Sequence, residues 1–353
     1  MRITVFAVAV LIGLSTQGQA ATPPTVSNAA DGVFAAFRSH ALVGLAEAHG
    51  WAQQLDFYAA LLRDPRFARE VGNVVLETGS ATQQDVIDRY VNGEYVPYQT
   101  LRKVWSDTVG WRPAVTHIGS MNVYATIRAV NMSLPAGRRI KVWLGEPPID
   151  WSTIKTQTDL DPYEAQRDTH PAGLIAREIL AKNKKALVIY GADHLRLGAY
   201  ADKDNLRALI ERSHPSVWFI VAPYGGYMTE ACTTRFEKHI KGWPTPALVG
   251  PIRGSTLEED IYQPGCGLYP RPIPATEDQY NALMRDYYLQ MGDALLYLGP
   301  RNRQVFSLQD PDIYLDLDYR AELERRGRIR GGDTLSNSDA IDNGAQPKSF
   351  FPN

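Results

Sequence analysis

The sequence predicts an α/β fold: a mostly parallel central sheet flanked by helices, with a site at the carboxyl ends of the strands. Three observations predict it. Short, nearly continuous apolar runs recur along the chain, amphipathic helical stretches separate them at βα intervals, and four of the runs close on a carboxylate or a histidine. Runs that are apolar throughout suit strands buried on both faces, the condition of a parallel sheet covered by helices.

In chain order, Met1-Arg2 precedes an apolar stretch from Ile3 to Leu14, too short to span a bilayer, and Gly18-Gln19-Ala20 offers small residues for cleavage. Residues 1–20 therefore read as a signal peptide, with a mature chain from Ala21 in the periplasm or secreted. No cysteine at the cleavage point invites a lipid anchor, and no later apolar run is long enough to span a membrane. After a Pro-containing lead, Ala21 to Asn28, strands are expected at 41–46, 73–76, 140–144, 186–190, 217–222 and 294–298. Trp51, Leu55, Tyr58 and Leu62 share one helix face, ended by Arg63-Asp64-Pro65. Thr82-Gln83-Gln84-Asp85 resembles a capping box opening a helix that Gly93 closes. A third helix is expected after Ser120, with Val123, Ile127 and Val130 inward, and a fourth from about Ala172 to Lys182. Residues 21–330 read as one α/β domain, in which 231–274 is a Gly/Pro-rich excursion pinned by a disulfide. Helical periodicity returns at 280–288 and 314–326, and 331–353 reads as a disordered polar tail.

The chain holds 37 basic and 39 acidic residues, and without Arg2 the formal charge is −3. That balance argues against nucleic acid as a partner. The most basic stretch, Arg320 to Arg330, alternates with Glu322 and Glu324 and reads as a solvated helix face. Cys232 and Cys266, the only cysteines of an exported chain, are expected to pair. Closing a loop of that length stabilises by about 3–4 kcal/mol in the chain-entropy model.

The chemistry is expected at the strand ends. Val43-Gly44-Leu45-Ala46-Glu47-Ala48-His49, Val74-Val75-Leu76-Glu77, Val142-Trp143-Leu144-Gly145-Glu146 and Val188-Ile189-Tyr190-Gly191-Ala192-Asp193-His194 all finish in ionisable residues. In a parallel sheet these ends lie on one edge, where α/β proteins build their sites. Glu47, His49, Glu77 and His194 are the candidate catalytic groups, and Glu146, His117 and Arg128 the candidate substrate-binding ones. The bland alternatives are a helix cap for Glu77, a loop polar pair for Asp193-His194, and a solvent-facing carboxylate beside Pro147-Pro148 for Glu146. His117 would then be a loop histidine and Arg128 a surface residue. Histidines among carboxylates permit acid/base hydrolysis, in which an imidazole takes a proton from water, or a metal site that activates the water directly. No His-Glu-x-x-His spacing selects the metal, so the metal-free version ranks first and no metal ligand is assigned. A Gly-x-Ser-x-Gly elbow in the mature chain, a Walker loop and a Gly-x-Gly-x-x-Gly turn are absent, which disfavours a serine hydrolase, an NTPase and a nicotinamide enzyme.

The set Gly44-Leu45-Ala46-Glu47-Ala48-His49, Val75-Leu76-Glu77, Arg128-Ala129-Val130-Asn131 and Gly191-Ala192-Asp193-His194 resembles the superfamily of erythromycin esterases and ChaN-like haem-binding proteins, to which the Tiki/TraB proteins are related. The resemblance runs from about Ala41 to Ala222. It implies a strand-end site lined by Glu47, His49, Glu77 and His194, and a water-activating role for His49 on a small ester or lactone. Ala46 stands where the family usually has Gly, and the helical insertion of macrolide enzymes is short, so only the reaction class carries over. The ChaN-like branch implies the alternative, a periplasmic haem-, iron- or ligand-binding protein without catalysis, with reversible haem held by a tyrosine. No cofactor is expected; a divalent metal belongs to the metal-assisted version of the hydrolase, and haem to the binding-protein alternative. The expected partner is a small-molecule substrate or ligand.

Overall fold

The structure, a computed structural model, describes residues 21–110, 117–197, 204–227, 229–261, 266, 276, 279 and 292–331. The expected signal peptide, the helical periodicity at 280–288 and the tail beyond Gly331 lie outside the described residues. Among the described residues, β1 (Thr25–Asn28), β2 (Leu42–Glu47), β3 (Asn73–Ser80), β4 (Lys141–Glu146), β5 (Ala186–Gly191), β6 (Trp218–Pro223), β7 (Ala247–Gly250) and β8 (Ala294–Tyr297) form one sheet in the order β1-β7-β8-β6-β2-β5-β3-β4. The run from β8 through β6, β2, β5 and β3 to β4 is parallel, and β7 pairs antiparallel with both β8 and β1. The α/β expectation holds, with an antiparallel edge added.

The helices are α1 (Ala29–Ala36), α2 (Ala52–Arg63), α3 (Gln84–Val91), α4 (Tyr98–Leu101), α5 (Lys103–Ser106), α6 (Ile118–Met132), α7 (Gln157–Glu164), α8 (Thr169–Glu178), α9 (Ala192–Leu195), α10 (Leu206–Ser213), α11 (Glu230–His239) and α12 (Thr256–Ile261). Alternate residues of the central strands face opposite layers. Val43, Leu45, Val74, Leu76, Leu187 and Ile189 pack against α1, α2, α3 and α6, with Phe34, Tyr58, Ile87 and Ile127 in contact. Leu42, Ala46, Val75, Val188 and Tyr190 pack against α8 and α10. A third cluster joins β7 and β8 to α11 and α12 around Phe236, Tyr224 and Leu257. Burial on both faces explains why the central strands read as unbroken apolar runs.

Several elements differ from expectation. Thr82 does not cap: its hydroxyl donates to Ile149 O at 3.0 Å, and α3 begins only at Gln84. The third helix starts before Ser120, at Ile118. The stretch after Cys232, where Gly and Pro obscure the pattern, contributes α11, β7 and α12. Cys232 and Cys266 stand at disulfide distance with Cα atoms 5.7 Å apart, both buried in the third cluster. The closing helix is broken at Asp316 into Asp312–Leu315 and Leu317–Ile329. Its arginines are not a solvated face, because Arg326 is buried and donates to Ser106 O at 2.7 Å and to Asp107 at 3.0 Å. No helix of the described residues is long and apolar enough to cross a membrane.

Candidate functional site

The parallel register brings the strand ends together. Glu47, the last residue of β2, stands opposite Gly191, the last of β5, and Glu77 continues β3 one residue past the Leu76–Ile189 pairing. Glu77 is 3% exposed and fully engaged. Its Oε2 accepts from Gly191 N at 2.6 Å, its Oε1 accepts from Arg167 Nη2 at 2.7 Å, and two imidazoles flank it, His194 Nε2 at 3.4 Å and His49 Nε2 at 3.8 Å. Glycine is required at 191 because a Cβ there would fall 2.8 Å from His49 Nε2.

Glu146, 1% exposed at the end of β4, does not face water as the Pro147-Pro148 turn suggests. Its Oε1 accepts from Arg167 Nε at 2.8 Å, and its Oε2 accepts from Val109 N at 2.9 Å and Gly110 N at 3.2 Å. One guanidinium thus bridges two buried carboxylates, one N–H to each, which the several fixed donors of Arg allow. The next residue, Asp168, accepts from His194 Nδ1 at 2.6 Å and from Leu206 N at 2.7 Å. Arg167 and Asp168 were not among the sequence candidates. They lie between α7 and α8, away from any strand end, and carry no motif that would have marked them.

Glu47 is different. It is 4% exposed, yet its Oε1 has no hydrogen-bond partner; neither has His49 Nδ1, 3.7 Å away. On α2, Gln54 Oε1 accepts from Ala48 N at 3.0 Å, while Gln54 Nε2 and the hydroxyl of Tyr58 are buried without a partner. A buried carboxylate left without donors is costly, and such groups mark positions completed by water or ligand. His49 itself keeps about a third of its side chain exposed, so the group nearest Glu47 also meets solvent.

Electrostatics follow from this packing. Burial works against a charged His49, but the charge of Glu77 and the nearby Glu47 outweigh it and raise the imidazole to about 9. Burial likewise opposes protonation of His194, and Glu77 with Asp168 raises it to about 10. Glu77 is driven well below the usual carboxylate range despite its burial, by His194, His49 and Arg167. Burial pushes Glu146 up against the pull of Arg167. Near neutral pH, therefore, two imidazolium ions bracket one carboxylate.

His117 lies beside this cluster as the residue preceding α6. Its Nδ1–H donates to Ser307 O at 2.8 Å, its ring packs against Gly50, and burial lowers its pKa. Arg128 is not part of the cluster: its guanidinium donates to the carbonyls of Tyr90, Gly93 and Glu94, terminating α3. Among the described residues, no group of three or more His, Cys, Asp and Glu is arranged to hold a metal ion.

A segment from 303 to 309 closes the rim. Neither α2 nor α6 has a side-chain N-cap. Instead Ala52 N donates to Val305 O at 2.9 Å, Ile118 N to Leu308 O at 2.9 Å, and Gly119 N to Ser307 Oγ at 3.0 Å, which satisfies helix N–H groups that otherwise lack partners. Ser307 N donates in turn to Gly50 O at 2.7 Å, directly after His49.

No family model matches the chain, and no curated protein matches it. Among solved structures it is similar to a protein from Bacillus cereus, with 12% identity and a TM-score of 0.38 over 59% of this chain and 73% of that one. It is also similar to the type III effector HopBA1, with 14% identity and a TM-score of 0.35 over 58% and 86% of the two chains. A third is ChaN of Campylobacter jejuni, described with cofacial heme binding, with 13% identity and a TM-score of 0.35 over 55% and 85%.

Proposed function

We propose that the strand-end cluster is a hydrolytic site for a small ester or lactone in an exported protein, in which Glu47 and His49 hold the attacking water between them. The observation that carries this is the unpartnered pair itself: a buried carboxylate oxygen and an imidazole nitrogen 3.7 Å apart, both without hydrogen bonds. A water that donates to Glu47 Oε1 and accepts from His49 Nδ1–H would satisfy both.

The protonation states assign the roles. With its pKa raised to about 9 by Glu77 and Glu47 against its burial, His49 is protonated at pH 7, so the resting imidazole is an acid. Glu47, whose Oε1 lacks a donor, takes the water proton as the water attacks; His49 Nδ1–H, released by the water once it has bonded to the carbonyl carbon, then protonates the departing oxygen. Glu77, held by Arg167, Gly191 N–H and His194, keeps His49 charged and oriented. The alternative that His49 is itself the base requires its neutral form, and the two versions differ in pH dependence. Acid action is lost as pH rises through about 9, whereas base action increases through the same range.

Haem, the alternative occupant, would need an axial ligand other than these two imidazoles. Each nitrogen of His49 and His194 faces a carboxylate within 3.8 Å, and a protonated imidazole does not ligate iron.

The test is a panel of nitrophenyl esters and simple lactones assayed from pH 6 to 10 with the native protein, Glu47→Gln and His49→Ala, folding being checked by circular dichroism. Both variants should lose about 10²–10⁴-fold in kcat/KM. If no ester or lactone is cleaved and added haem gives a saturable Soret shift, the hydrolytic reading falls and the binding protein replaces it.

A further inference from the structure

The opposite edge of the sheet carries a second constellation. Strands β6, β2 and β5 are parallel neighbours at the sheet centre, so the loops entering them share the amino-terminal edge. All three loops bring basic side chains: Arg38 and His40 before β2, Lys184 and Lys185 before β5, and His214 before β6. These five line one crevice of about 410 Å³, and no Asp or Glu is among its lining residues. The volume lies within the range of small-molecule sites.

Little of the charge there is compensated: Lys184 acts on Glu178, whose carboxyl it helps to lower. Among the described residues the side chains of Arg38, Lys184 and Lys185 make no hydrogen bond or ion pair, whereas Arg66, Arg102, Arg167 and Arg326 each hold a carboxylate. Of the nearby carboxylates, Glu178 accepts from Lys182 Nζ at 2.5 Å besides feeling Lys184, and Glu211 Oε1 accepts from Ser216 N at 3.1 Å while its Oε2 is buried without a hydrogen bond. In a chain of formal net charge −2, three permanent cations around one concavity focus a positive potential that an anion would relieve. Two lysines and an arginine supply point charges on several sides, which suits a multivalent phosphate better than a planar carboxylate that one Arg can clasp.

We propose that this crevice binds a phosphate-bearing ligand through Lys184, Lys185 and Arg38, at a site separate from the strand-end cluster. The ligand is a free phosphate compound or a phosphate headgroup at a lipid surface. Titration calorimetry with sodium pyrophosphate at 50 mM salt examines the first source, and flotation with phosphatidylglycerol vesicles, against phosphatidylcholine vesicles, the second. The native chain should bind one of these probes, more weakly at 200 mM salt. The Lys184→Glu/Lys185→Glu variant and Arg38→Glu should each lose at least tenfold in affinity, and Lys241→Glu, a remote surface change, should lose nothing. Pyrophosphate binding identifies a soluble ligand; vesicle capture without it identifies a headgroup. Binding of neither probe by a native chain with unchanged circular dichroism, or equal binding by all variants, overturns the proposal.

Discussion

Arg167→Met removes one guanidinium from between two buried carboxylates while keeping most of the side-chain volume. Glu77 and Glu146 each lose a charge-assisted bond, of 2.7 and 2.8 Å. Such bonds contribute about 1.5–3 kcal/mol apiece, and removing one partner of a buried ion pair costs about 3–5 kcal/mol. Glu77 retains Gly191 N–H and two imidazoles, and Glu146 retains two backbone N–H groups. The expected loss is therefore in the lower part of that range, about 3–4 kcal/mol. It should also depend on pH. Burial already raises Glu146, and without Arg167 the raised pKa moves further up. A folded-state pKa above the unfolded one means that the folded chain binds the proton more tightly, so stability falls as pH rises through that interval. Urea unfolding at pH 5 and pH 8 should show the larger loss at pH 8, and Glu146→Gln should recover part of it in the double variant. A loss below about 1 kcal/mol, an equal loss at both pH values, or strict additivity of the two changes would refute the shared-cation account.

The other predictions concern the same edge and the disulfide. His49 and His194 have folded pKa values raised to about 9 and 10, so their stabilisation is complete below about pH 6.5 and is lost as pH rises through those values; Tm measured from pH 6 to 10 should fall in that window, and a flat profile contradicts it. Asp168→Asn removes the 2.6 Å partner of His194 Nδ1, and the His194 imidazole, followed by NMR titration, should drop below about 10. Gly145→Ala would place a Cβ 1.8 Å from the Tyr190 hydroxyl, costing about 1–3 kcal/mol, with partial recovery in Gly145→Ala/Tyr190→Phe; no recovery would locate the strain elsewhere. Cys232→Ser/Cys266→Ser should cost about 3–4 kcal/mol for a loop closed across 34 residues, and native material should show no alkylatable thiol before reduction.

The parts of this molecule legible in its sequence are those whose burial is uniform. Leu42 to Ala46 and Ala186 to Tyr190 are apolar throughout because both faces are covered, and their last residues had to share an edge. Strand β7 escaped because its four residues lie between Pro246 and Pro251, whose flanks resemble loop. Strand β1 escaped because it is a mostly exposed edge with no apolar run. The convergence of Glu47, His49, Glu77 and His194 was legible because each stands at or just after a strand ending. Arg167 and Asp168 were not, since a loop residue becomes part of a site only through tertiary packing, which spacing does not encode. Arg128 shows the converse: a position within a plausible motif, one turn from Asn131, taken up in holding the carbonyls that end α3.

The segment around Ser307 has a consequence for how the site comes into being. Gln53 donates to the carbonyl of a residue 250 positions later, and His117 to one 190 positions later. Contacts of such sequence separation form late, because a long loop must close before they contribute. During synthesis β2 and β3, bearing Glu47 and Glu77, and β5, which leads into His194 on α9, can emerge and pair while the starts of α2 and α6 still lack their acceptors. A chain stopped near residue 300 would hold every strand-end motif with an unfinished rim around His49. The rim beside His49 is thereby linked to synthesis of residues 303–309, and a chain without them would keep the charged cluster but lose the acceptors at the starts of α2 and α6.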